Sequence, residues 1–191
     1  MASSAAARVK DGVNRTNNYG AETNLVIRND PANTADRSVA LLKFRLPTIY
    51  LPDVQLAVLT VSGATRQTNA PVQAHVYGLT NNAWSQTSVT WATAPNLGSG
   101  VPAGNRIAHQ FVRGLGDSAF LQGQLVFSST NFAGQQIDVT RFIRHRPTYE
   151  ASFRVAQDPR WNVALPSLAV GDTQPDGLRL LASEAGADGP R

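Results

Sequence analysis

Apolar and polar residues alternate with a period of two along much of the chain. Such alternation is typical of half-buried strands, in which successive side chains point to opposite faces. The clearest segments are short, apolar and bounded by turn-forming residues: NLVIR (24–28), ALLKFRL (40–46), VQLAVLTVSG (54–63), VQAHVYGL (72–79), QQIDVTRFI (135–143), ASFRVA (151–156) and GLRLLAS (177–183). This pattern predicts an all-β fold, an antiparallel β-sandwich.

Helical pattern is confined to DVTRFIRHR, where Asp138 or Thr140 can cap a single turn and Phe142 can pack inward. Long segments without strand periodicity are predicted as loops, and they cover residues 29–37, 81–106 and 157–176.

A chain of 191 residues is an ordinary length for one all-β domain. We therefore expect a single domain over residues 1–191, with MASSAAA at residues 1–7 as an added start or a linker. This start lacks the features of a signal peptide, so a secreted or cell-surface location would require a longer parent chain.

Composition narrows the classes of function. The chain has no cysteine, which excludes a disulfide framework, a thiolate metal site and a cysteine nucleophile. The net charge is +4, but only 16% of residues are charged and no dense basic run appears, so a nucleic-acid tail is not expected. No long apolar run predicts membrane insertion. Arginine greatly outnumbers lysine, which fits an anionic partner or the codon usage of a GC-rich genome.

Catalytic patterns are missing from the sequence. The histidines His75, His109 and His145 have no metal-ligand spacing, and GDSAF around Ser118 is not a nucleophile elbow. The tyrosines and scattered acids form no recognisable constellation. We therefore expect no enzymatic activity and no firm cofactor. A structural calcium ion is the one metal considered, with oxygen ligands from Asp11, Asn17 and Asn18 near a turn.

Two tryptophans, Trp84 and Trp91, stand in a polar segment that ends in a proline-containing turn. Such a segment needs large buried apolar area to offset the entropy of ordering its neighbours, so we interpret both as structural anchors. Trp161 follows Arg160 in a long loop without periodic support. These last two residues are weaker ligand-binding candidates, with loop packing as the alternative for Trp161.

Strand alternation identifies the main binding candidates. It turns Lys10, Arg28 and Lys43 toward solvent, and Arg37 lies six residues before Lys43 on the same face of a regular strand. We therefore predict one outward cationic face formed by these side chains. A cluster of like charges needs an anion or local acids, such as Asp11, Asp30 and Asp36, to compensate it. A solvated face with weak internal ion pairs is the alternative.

Five ordered blocks resemble a known family. They are VKDGVNRTNNYGAETNLVIRND, RSVALLKFRL, WSQTSVTWATAP, IDVTRFI and LASEAGADGPR, and they span nearly the whole chain. In order and spacing they are similar to the DNRLRE-type modules, which include carbohydrate-binding modules of family 96. The resemblance implies a jelly-roll β-sandwich attached to secreted polysaccharide lyases or other surface proteins, with alginate binding described in the family.

The chain departs from the family pattern at three places. Gln86 stands where the family usually has Glu, and an Arg usually separates the residues that are here Ser183 and Glu184. These changes remove the ion pair that the pattern suggests. The chain also ends at Arg191, where a last apolar strand would begin, so that strand is expected after residue 191.

The sequence thus predicts a non-catalytic module that binds an anionic, uronate-rich and alginate-like polysaccharide. Guanidinium and ammonium groups would pair with the sugar carboxylates. Binding would target an attached catalytic domain to its substrate. The alternative is a purely structural or adhesive extracellular sandwich without a glycan ligand.

Overall fold

A computed structural model describes residues 1–29, 37–66, 71–95, 97, 119–157, 168–171 and 177–182. Within these ranges the chain forms ten strands, one short α-helix and two 3-10 turns at Gly12–Asn14 and Leu51–Asp53. The strands are β1 (Ala5–Lys10), β2 (Asn24–Ile27), β3 (Ser38–Arg45), β4 (Val54–Thr65), β5 (Val72–Leu79), β6 (Ala119–Phe127), β7 (Ala133–Asp138), β8 (Glu150–Gln157), β9 (Leu168–Gly171) and β10 (Gly177–Ala182), and the helix is α1 (Thr140–Arg144). No helix in the described ranges is long and apolar enough to cross a membrane.

The strands form two antiparallel sheets. The first has the order β1-β3-β8-β5-β6, and the second has the order β10-β4-β9-β2 with β7 also paired to β4. Strands β2 to β9 are thereby arranged as β2-β9-β4-β7 facing β3-β8-β5-β6, which is the connectivity of a jelly roll. The predicted all-β, antiparallel sandwich is confirmed.

The main core lies between the two sheets. It is filled by alternate residues of each strand, such as Leu42 and Phe44 of β3, Leu59 of β4 and Phe153 of β8. Val39 and Leu41, which alternate with these positions in β3, are also buried, because the outer face of the first sheet carries a second apolar cluster. Both faces of β3 are therefore covered from Val39 to Leu42, and this explains why its sequence is continuously apolar there.

Several elements differ from the sequence prediction. Strand β9 lies inside the predicted loop 157–176, and β6 was not predicted, because its run AFLQGQLVF is interrupted by glycine and glutamine. Residues 5–7, assigned above to an added start or linker, are the first half of β1. Their small alanine side chains pack where β1 approaches its neighbours, with Ala6 and Ala7 buried. Arg160, Trp161, Ser183 and Glu184 lie outside the described residues.

Candidate functional site

The outer face of the first sheet is covered by the segment of residues 81–95 and 97, which we name the Trp segment. Trp84 is 7% exposed and Trp91 is 0% exposed. With Leu97 they join a cluster that includes Leu41 of β3 and Leu79 of β5. Trp84 also donates its indole N–H to the hydroxyl of Ser152, 3.0 Å away. Neither ring is presented to solvent, as structural anchoring requires.

Polar contacts attach the Trp segment to the N-terminal strand. Gln86 accepts a hydrogen bond from the backbone N–H of Ala6 at 3.1 Å and donates one to the carbonyl of Gly20 at 2.6 Å. A Cβ at Gly20 would lie 1.8 Å from the Gln86 carbonyl oxygen, so the close approach requires glycine. The side chain of Gln86 thus acts as donor and acceptor at once, which a carboxylate in its place could not do.

Asn18 strengthens the same junction. Its side-chain amide donates to the carbonyls of Gln86 and Val89, and its Oδ1 accepts from the N–H of Gly20. Asn18 is one of the residues proposed above as calcium ligands, and its oxygen already has this backbone partner. The described residues contain no group of three His, Cys, Asp or Glu that could hold a metal ion. A calcium ion held by the oxygens of Asp11, Asn17 and Asn18 stays a prediction.

Lys43 points from β3 toward the Trp segment. Its Nζ donates to the carbonyl oxygen of Asn82 at 2.7 Å and to that of Trp84, and it lies 4.8 Å from the centroid of a Trp84 ring. The side chain is half-buried rather than fully solvated. Lys43 therefore holds the Trp segment in place. One side of the Lys43 side chain also lines an open groove.

This groove, which we name the Lys43 groove, is open and has a volume of about 590 Å³. Its walls include Ser4, Lys43, Arg45, Gln86, Tyr149 and Glu150. Arg45 lies two residues after Lys43 on the same face of β3, so their α-carbons are about 7 Å apart. The side chain of Tyr149 is 46% exposed, and its backbone carbonyl accepts from the N–H of Leu46, which fixes it beside β3.

Two residues of this groove, Arg45 and Tyr149, were not predicted from the sequence. Arg45 follows from the same alternation that selected Lys43, so the signal was present. Tyr149 belongs to the short connection between α1 and β8, where no periodicity indicates which way a side chain points.

Lys10 and Arg28 meet at another place. Both are paired with Ser38, from opposite sides, so their side chains share one face with their α-carbons about 10 Å apart. Tyr19 lies beside them, with the Lys10 Nζ 5.5 Å from its ring centroid. Arg8 is 5.1 Å from the same ring and forms an ion pair with Glu22. Lys10 and Arg28 therefore form a small cationic cluster. Arg8 lies next to it, but the charge of Arg8 is paired with Glu22.

The predicted single face of four cations is wrong. Lys10 is paired with Ser38, which lies five residues before Lys43, so Lys10 and Lys43 point to opposite faces of the first sheet. Arg37 precedes β3, about 20 Å along the strand from Lys43. Alternation along a strand indicates on which side of that strand each side chain lies, but it does not give the register between strands. Ligand binding by each of the four stays a prediction.

Some of the basic residues are buried. Arg154 is 1% exposed, lies 4.8 Å from the Tyr77 ring centroid, and burial lowers its pKa to about 10. Burial also lowers the pKa of Arg146, while the nearby Glu150 raises it. These two charges contribute to the net charge of +4 but are largely withdrawn from the surface. The composition therefore overstates the positive charge that a ligand would meet.

The two antiparallel sheets place the chain in the class of all-β sandwich proteins. The profile of carbohydrate-binding module family 96 matches residues 1–107, more than half of the 191 residues. The chain belongs to this family. No curated protein matches the chain. The family assignment supports carbohydrate as the partner, and modules of this kind are typically non-catalytic and commonly extracellular.

Proposed function

We propose that this module binds an anionic, uronate-rich polysaccharide such as alginate in the Lys43 groove. The observation that carries the proposal is the combination of two cations, Lys43 and Arg45, with the exposed ring of Tyr149 in one open groove. A uronic acid presents the matching groups, because it has a carboxylate, several hydroxyls and an apolar ring face. The family match supports a carbohydrate as the ligand. The two cations of the groove, Lys43 and Arg45, support a negatively charged one.

Arg45 is the principal anion contact in this proposal. It is exposed, and among the described residues its guanidinium has no hydrogen bond or ion pair. Its planar fork can bind a carboxylate through two parallel hydrogen bonds. The ammonium group of Lys43 already donates two hydrogen bonds to backbone carbonyls. Its main contribution to the ligand is therefore its positive charge rather than a further hydrogen bond.

The other groove residues suit the neutral parts of a sugar. The Tyr149 ring offers a flat surface on which a pyranose face can pack, while Ser4, Gln86 and Glu150 offer polar groups to hydroxyls. Asn82 donates to the carbonyl of Glu150 at 3.0 Å, which holds the wall of the groove in place. Such a preformed site loses little entropy on binding.

Recognition without chemistry is the mechanism that we propose. The module would be secreted or lie at a cell surface, covalently attached to a catalytic or surface domain in a longer parent chain. Tethering would raise the effective concentration of the polysaccharide near that domain. The Lys10–Arg28 cluster is proposed as a further charged contact for the same polymer, and no nucleic acid is expected as a ligand.

Affinity electrophoresis in gels that contain alginate, pectin, heparin or a neutral glucan tests this proposal. We expect retardation by the uronate polymers and none by the neutral glucan. Arg45→Ala and Tyr149→Ala should each weaken binding, the first by about 1.5–3 kcal/mol because a charge-assisted contact is lost. Arg66→Ala, an exposed arginine at the end of β4, is the matched control and should bind as the wild type does.

Two results would contradict the proposal. Equal losses at Arg45 and Arg66 would mean that net charge alone drives retardation. If no polysaccharide retards the wild-type module, the structural or adhesive alternative is favoured.

A further inference from the structure

A second groove lies beside α1. It consists of two adjoining hollows of about 650 and 600 Å³, which share the lining residues Leu121, Gln122, Arg141 and His145. We name this pair of hollows the α1 groove. Phe120 and Pro147 line one end, and Gln55 lines the other. The sequence analysis identified α1 as a helical turn but assigned no role to its basic residues.

The short helix presents its basic side chains to this groove. Phe142 and Ile143 are buried against the core, so Arg141 and His145, four positions apart, remain on the exposed side. His145 Nδ1 donates to the Arg141 carbonyl at 2.7 Å, which leaves Nε2 as an acceptor in the neutral ring. Arg144 is anchored through its Nε to the carbonyl of Val54 at 2.6 Å.

Arg141 is the cation most available to a ligand. Within the described part of the chain its guanidinium has no hydrogen-bond or ion-pair partner. Arg144 is less available, because the carboxylate of Asp138 lies near it. The Arg144 charge contributes to the lowered pKa of Asp138, although the hydrogen bonds from Thr140 have the larger effect. The side chain of Phe120 is 39% exposed and gives the groove an apolar surface. The α1 groove therefore resembles the Lys43 groove, because each combines cations, polar side chains and an aromatic ring with one carboxylate, Asp138 in the first and Glu150 in the second.

One backbone segment contributes to both grooves. Pro147 lines the α1 groove and Thr148 lines the Lys43 groove, and these residues are consecutive, so their α-carbons are about 3.8 Å apart. We name this segment, residues 146–149, the ridge. Arg146 holds the ridge in place, because its guanidinium donates to the carbonyls of Leu79, Thr80 and Glu150 at 3.0 to 3.1 Å.

We propose that one extended acidic polysaccharide chain crosses the ridge and occupies both grooves. This inference rests on the proposed function, because it takes the Lys43 groove as the first contact. It implies that the module recognises the interior of a long chain, since a chain end would fill only one groove. Affinity should then increase with ligand length until the chain reaches Arg141.

Calorimetric titration with short and long uronate oligosaccharides tests the inference. The short ligand is a disaccharide, which fits within one groove, and the long ligand is a size-fractionated oligomer of the same polymer. The wild-type module should bind the long ligand about tenfold more tightly than the short one, or better. Arg141→Ala should remove about tenfold from the affinity for the long ligand and leave that for the short ligand unchanged.

The control variants separate the possible failures. Arg45→Ala should weaken both ligands, and Arg66→Ala should weaken neither. If Arg141→Ala leaves long-chain affinity unchanged while Arg45→Ala weakens both ligands, the crossing of the ridge is refuted and the proposed function stands. Equal losses for short and long ligands in Arg141→Ala would also refute it. If the wild-type module binds neither ligand, both proposals fail.

Discussion

Replacing each buried tryptophan by phenylalanine should have unequal effects on stability. The two indoles are both buried, but their N–H groups differ. Trp84 donates to the hydroxyl of Ser152, which is itself 0% exposed, whereas the Trp91 N–H has no hydrogen-bond partner among the described residues. The Trp84→Phe variant thus leaves a buried hydroxyl without its donor, while Trp91→Phe removes a buried donor that was already unsatisfied.

The expected magnitudes follow from these contacts. Replacing indole by the smaller phenyl ring removes buried apolar surface at either site, which costs about 1–2 kcal/mol of stability. In Trp84→Phe the unpaired Ser152 hydroxyl adds about 1–3 kcal/mol, for a total of about 2–5 kcal/mol. In Trp91→Phe the relief of the unsatisfied N–H offsets the loss, so stability should stay within about 1 kcal/mol of wild type. Either alanine variant should lose about 3–5 kcal/mol.

Urea unfolding followed by circular dichroism measures these differences as shifts of the midpoint at constant slope. A Trp91→Phe variant as unstable as Trp84→Phe would refute the hydrogen-bond reasoning. If Trp84→Ala or Trp91→Ala keeps the wild-type midpoint and loses only ligand binding, structural anchoring by the Trp segment is refuted.

Three further substitutions test contacts around the two grooves, Gln86 and Lys43 at the Lys43 groove and Asp138 at the α1 groove. Gln86→Glu should destabilise the fold by about 1–3 kcal/mol at neutral pH in urea unfolding, because the Gly20 carbonyl loses its donor; wild-type stability would contradict this. Lys43→Met should cost about 1.5–3 kcal/mol in the same assay despite its position on a groove, and a neutral effect would refute its role in holding the Trp segment. The pKa of Asp138 is lowered from 3.8, chiefly by the Thr140 side chain, so its contribution is present above pH 3.8 and lost as the pH falls through the folded value. The stability difference between wild type and Asp138→Asn should therefore shrink in acid, and a constant difference would contradict it.

The fold could be predicted from the sequence because its signals are local. Alternation in VQAHVYGL gave β5 with its observed bounds. The predicted helical turn is present as α1, but neither Asp138 nor Thr140 is its N-cap: that residue is Val139, which makes no side-chain cap, while Asp138 accepts from the N–H of Thr140. Strand β9 was missed because only four residues pair, and their place in the second sheet depends on β2 and β4, which are distant in sequence.

The binding surface was predicted less well because it depends on register. Alternation correctly turned Lys43 away from the main core, but no local signal showed that the Trp segment would cover that side of the sheet. The same argument grouped Lys10 with Lys43, although pairing with Ser38 puts Lys10 on the other face. Tyr149 and Arg141 come close to Lys43 and Phe120, respectively, only after the sheets have packed.

The most direct test of the central claim is a titration of isotope-labelled protein with an alginate oligosaccharide, followed by amide chemical shifts. We expect the largest shifts at Arg45, Thr148 and Tyr149. Binding should weaken as salt rises, because exposed charges are screened over about 8 Å at physiological ionic strength. A neutral oligosaccharide of equal length should produce no comparable shifts. Shifts that cluster away from the Lys43 groove, or that are the same for the neutral ligand, would contradict the account.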